Sequence, residues 1–78
     1  MDYQKLVNDA YKRYVDKHAS VDKLTTMANA YEELNSALAE YNQTAEIVIG
    51  RLEQEAPQHL DAAKKLIEER RAELHRLP

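Results

Sequence analysis

Residues 21–55 read VDKLTTMANAYEELNSALAEYNQTAEIVIGRLEQE. Apolar side chains recur through this stretch at steps of three and four: Leu24, Met27, Tyr31, Leu34, Leu38, Tyr41, Ala45, Val48 and Leu52. That spacing lines one face of an α-helix and fits no strand. No Pro interrupts it before Pro57. Gly50, the chain's one glycine, costs about 1 kcal/mol relative to Ala in a helix interior. The β-branched run Ile47-Val48-Ile49 before it lowers helix propensity further. The stretch therefore predicts one helix of roughly 50 Å, with its weak point at Gly50.

The same reading extends outward in both directions. Tyr3, Leu6, Val7, Ala10, Tyr11 and Tyr14 form a stripe opposed by Gln4, Lys5, Asp9, Lys12, Arg13 and Asp16. This predicts a first helix over about 3–18, with Asp2 placed to cap its free amides. Ser20 reads as the next N-cap and Asp22 as a first-turn acid, so the central helix is expected over about 21–55. Pro57 disfavours helical backbone at Ala56 and suits the first turn of a new helix. A third helix is expected over about 57–76, with Leu60, Ala63, Ile67 and Leu74 on its apolar face. The fold class is all-α: three amphipathic helices with a long central one, as an antiparallel bundle or a coiled-coil-like homo-oligomer, in one domain over 1–78.

Size bears on the choice between those two. Seventy-eight residues are near the lower limit for a self-sufficient core. The chain has no Cys, so neither a disulfide nor a thiolate metal site can supplement it. If the outer helices lie end to end along the central one, the result is two layers, and two layers bury little. Either the central helix folds at Gly50 into a compact bundle or its exposed stripe pairs with another copy. The second is the expectation, with a dimer the simplest case.

No apolar run approaches the length needed to span a bilayer. Met1-Asp2-Tyr3-Gln4-Lys5 lacks a signal-peptide core. These features predict a cytoplasmic protein with no membrane partner. Net charge is −3, unevenly spread. Residues 1–23 balance to +1, 24–63 to −6 and 64–78 to +2. An acidic middle between basic ends favours ends folded back on the middle.

Several residues stand out as contact candidates. Asn35 and Asn42 lie one heptad apart on the apolar side of the central helix. A polar residue there can fix register and oligomer number. The expected oligomer seam comprises Tyr31, Asn35, Leu38, Asn42, Ala45 and Ile49. The expected protein-binding residues are Tyr3, Tyr11 and Tyr14, because tyrosine suits half-wet contact faces. Ile47 joins them, since it points away from the stripe beside Gln43 and Gly50. Arg70 falls inside the apolar face of the third helix, so its stem packs while its head reaches water or an acid.

Catalytic and metal signatures are missing from the sequence. His18, His59 and His75 are scattered, no Glu-x-x-His or His-Glu-x-x-His pair exists, and no glycine-rich phosphate loop exists. Ser20 and Ser36 lack a Gly-x-Ser-x-Gly turn. Neither an enzyme nor a cofactor or metal is expected. Lys64, Lys65, Arg70, Arg71 and Arg76 are interleaved with Asp61, Glu68, Glu69 and Glu73, which argues against nucleic-acid binding.

The function expected is non-catalytic protein binding by a small helical homo-oligomer through helix faces. The role would be that of an inhibitor, adaptor or chaperone; phage-encoded and secretion-related proteins offer analogues of size and style. One alternative is a small-anion or nucleotide-binding oligomer, using Tyr11 with Lys12 or Tyr14 with Arg13. Another is an acidic nucleic-acid mimic, displaying Glu33 and Glu40 on one line with Glu32, Glu46 and Glu53 on a flank.

Overall fold

A computed structural model describes residues 2–24 and 27–77, with the side chains of 22–28 outside the description. Among the described residues there are three α-helices and no strand. They are α1 (Tyr3–Leu24), α2 (Met27–Glu55) and α3 (Leu60–Arg76), with a 3₁₀ turn over Pro57–His59. The all-α class follows directly.

The N-terminus forms where the sequence places it. The Lys5 amide donates to Asp2 Oδ1 at 3.1 Å, which satisfies one of the free first-turn donors. The expected end of the first helix near residue 18 and the restart at 21 are corrected. α1 continues through Ser20 to Leu24. Ser20 is not an N-cap: its hydroxyl donates to the Asp16 carbonyl at 2.9 Å, the back-bond a serine makes inside a helix. No Gly or Pro near 18–21 opposes continuation. The contribution of Asp22 and the stripe positions Leu24 and Met27 falls on side chains outside the described residues.

α2 passes through Gly50 without a break, and no glycine there has positive φ. It closes at Ala56, whose amide donates to the Leu52 carbonyl at 2.9 Å. Pro57 has no N–H to extend the ladder, and Ala56 turns to φ −154°, ψ 65°. The third helix is thus a 3₁₀ turn first and α3 from Leu60.

The short links reverse the chain at each joint. Arg13 of α1 pairs with Glu40 of α2, and Tyr41 and Asn42 of α2 meet Ile67 and Arg71 of α3. Both outer helices therefore run antiparallel to α2. The longest dimension is 44 Å, about the length of the 29-residue α2 alone at 1.5 Å per residue.

The outer helices lie beside each other as well as on α2. Arg70 of α3 donates to Asn8 of α1 at 2.9 Å, and its guanidinium sits 5.2 Å above the Tyr11 ring. The end-to-end, two-layer arrangement is accordingly corrected. Val7 and Ala10 of α1, Tyr41, Ala45, Val48 and Leu52 of α2, and Ala63, Ile67 and Leu74 of α3 form one buried cluster. Three helices enclose it without any fold at Gly50.

That cluster occupies one end. Counting from the Asn42–Arg71 contact, the last residue of α3 reaches the level of about Ala37 at 1.5 Å per residue. Beyond it α1 and α2 continue as a two-helix arm, where Leu34 is only half-buried and Tyr31 is 61% exposed.

Tyr41 is the largest fully buried side chain. Its hydroxyl donates to the Ile67 carbonyl at 2.7 Å, and burial pushes its ionisation upward, with Arg71 pulling it back. Tyr41→Phe keeps the ring and deletes that bond, so it should cost about 1 kcal/mol, read by urea unfolding. An unchanged midpoint would show that the bond adds no net stability.

Candidate functional site

One side-chain cluster and one groove stand out. The cluster lies on the α1–α3 seam. Arg70 reaches Asn8 through Nε and Glu73 through Nη1, at 3.1 Å to Glu73 Oε2. The Tyr11 hydroxyl stands beside the Glu73 carboxylate and interacts with it. This holds Glu73 below its usual range, helped by Arg70, and raises Tyr11. Each charge there has a partner within the chain, so the set ties helices together.

This cluster revises the reading of the α1 face. Tyr3, Tyr11 and Tyr14 are half-buried and packed against the core. Tyr3 also meets the His59 ring at 6.0 Å. Arg70 reaches an acid of its own helix, Glu73, and Asn8 of α1. The anion-binding sets are partly consumed as well: Arg13 is paired with Glu40, and Tyr11 with Glu73.

The expected seam residues divide between the groove and the rest of α2. Ala45 is 5% exposed at the edge of the core and, with Asn42 and Ile49, lines the α2–α3 groove. Leu38 and Ile49 are half-buried at the edge of the core. Asn42 accepts from Arg71 Nε and Nη2 at 3.3 and 3.2 Å. Asn35 and Tyr31 face outward on the two-helix arm. Ile47 is 53% exposed.

The groove lies between α2 and α3, on the side away from α1. Its volume is about 570 Å³. Ala45, Ile49 and Ile67 make an apolar floor, and Glu46, Glu53, Lys64, Glu68 and Arg71 stand around it. Arg71 is held by Glu68 and Asn42 and lies 5.9 Å over the Tyr41 ring.

Gly50 is the opening. A Cβ built there meets nothing within 4 Å. Glycine in a helix interior lowers stability, and here neither backbone conformation nor packing within the chain requires it. Sequence reasoning noticed Gly50 as a helix weakness and missed that it enlarges a concave surface. The signal was present: Glu46, Gly50 and Glu53 share one helix line, with the glycine between two carboxylates.

Among the described residues, no group of three His, Cys, Asp or Glu side chains gathers as a metal site. No described helix is long and apolar enough to cross a membrane. No known protein family, curated protein or solved structure matches the chain.

Two outcomes follow. Gly50→Ala should stabilise the protein by about 0.5–1 kcal/mol, measured by chemical unfolding; destabilisation would mean the space is already filled. For Glu73, the lowered carboxyl favours the fold above the free-acid range, near pH 4.3, and that gain disappears as pH falls through the lowered value. The melting-temperature gap between wild type and Glu73→Gln should therefore be widest at pH 7 and narrow at pH 3. A gap constant with pH would contradict the Tyr11–Glu73–Arg70 assignment.

Proposed function

We propose that this chain is a non-catalytic protein-interaction module. It acts as a small helical homo-oligomer that binds a target protein through helix faces, in the manner of an inhibitor, adaptor or chaperone. The observation that carries the reading is the α2–α3 groove opened by Gly50. A helix-in-groove contact needs an apolar floor, flanking charges and room for an incoming ridge. Ile49 and Ile67 supply the floor, Glu46 and Lys64 stand at the rims, and the missing side chain at Gly50 supplies the room.

The reacting groups of an enzyme would need open, converging polar atoms. Here the groups that converge most closely, Tyr11, Arg70 and Glu73, are occupied with one another. That supports binding over catalysis.

The test compares wild type with Gly50→Leu. Leucine is a good helix former, and its side chain would fill the groove from within. Tagged versions of both, shown by circular dichroism to be equally helical, are used for affinity capture from the source cell. Wild type should retain a protein that Gly50→Leu loses. Equal retention by both would contradict the groove as the binding face.

A further inference from the structure

We propose that the groove's occupant is a second copy of this chain, docked so that the α2 rim of each protomer lies over the α3 rim of the other. This rests on the protein-interaction reading above and assigns the groove to the contact between copies, so that a target lost by Gly50→Leu is one that needs the dimer.

The argument begins with the rims. α2 contributes Glu46, Gly50 and Glu53, spaced four and three; α3 contributes Lys64, Glu68 and Arg71, spaced four and three. One rim is acid–gap–acid and the other is base–acid–base. Glu68 is already neutralised by Arg71. Glu46, Glu53 and Lys64 form no ion pair among the described residues. The groove thus carries an acidic wall and a basic wall with unused charge on both.

Register sharpens this. α2 ends at Glu55 and α3 starts at Leu60 across the short Pro57–His59 turn; Gly50 lies five residues before that end and Lys64 four residues after that start. The two therefore share a level to within about one helical turn, and both line the groove. Lys64 therefore stands at the height of the gap between Glu46 and Glu53.

Symmetry selects the docking. A closed dimer uses a two-fold axis, so each face meets itself. An axis across the helices in the plane of the interface would lay α2 on α2 and oppose acid to acid. An axis along the bundle preserves height and exchanges the rims. The second copy's Lys64 then lies over Gly50, its stem in the space where a Cβ meets nothing and its ammonium between Glu46 and Glu53. The reciprocal contact forms at the same time. This arrangement also accounts for a glycine that nothing in the single chain requires.

Sedimentation equilibrium on the full chain, from low micromolar to roughly millimolar protein, tests it. The wild-type mass should rise from 9.0 kDa toward twice that value. Lys64→Glu alone, and Glu46→Lys with Glu53→Lys, should each self-associate roughly tenfold or more weakly, since each places like charges together at both contacts. Mixing the two variants should restore association as a heterodimer, because both contacts then pair opposite charges. Circular dichroism checks that each variant is folded.

A wild type at 9.0 kDa throughout, or reversal variants that associate like wild type, would overturn the proposal. So would a mixture that fails to associate. A monomeric wild type that still retains a target lost by Gly50→Leu would overturn this docking while leaving the interaction reading intact. A charge-dependent dimer that captures nothing would do the reverse.

Discussion

The constraint on which the structure depends is the insertion of Val7 and Ala10 into the cleft between α2 and α3. Both are almost fully buried, with Val48 and Ala63 completely so. Three of the enclosed side chains, Ala10, Ala45 and Ala63, are small, which allows helix axes to approach closely. With α1 seated there, two antiparallel helices become a closed three-helix core. Tyr41 sits inside it with its hydroxyl on the Ile67 carbonyl; left unpaired, that buried hydroxyl would cost about 1–3 kcal/mol. Because α1 covers one side of the α2–α3 pair, the other side is left as the groove.

The arrangement also divides the molecule lengthwise. The end built around Val7, Tyr41, Val48 and Ile67 has three helices and the buried cluster. The other end has two, with Ala37 buried at its base and Tyr31 exposed. The groove belongs to the end with the buried cluster. A binding surface gains from that placement, since rigid walls lose little entropy when a partner docks.

Much of the local structure was legible in the sequence. The step-of-three-and-four pattern gave helices, Asp2 gave a start and Pro57 gave a stop, because each acts through nearest neighbours. The α1 end was misread because a serine offers the same atoms to an N-cap and to a back-bond, and sequence does not choose between them. The placement of α1 was misread for a different reason. Periodicity states which face of a helix is buried but not which neighbour buries it, and the Asn8–Arg70 contact joins residues 62 apart. Gly50 was visible, yet its meaning depends on Lys64 and Ile67 across the groove, which only the folded chain brings near.

The most direct test of the account is isotope-filtered methyl NOE spectroscopy on a sample mixed from labelled and unlabelled chains. Contacts from Val7 and Ala10 to Ala63, Ile67 and Leu74 should appear within single chains. If those contacts arise only between differently labelled chains, α1 fills another protomer's cleft, and the single-chain core described above does not exist.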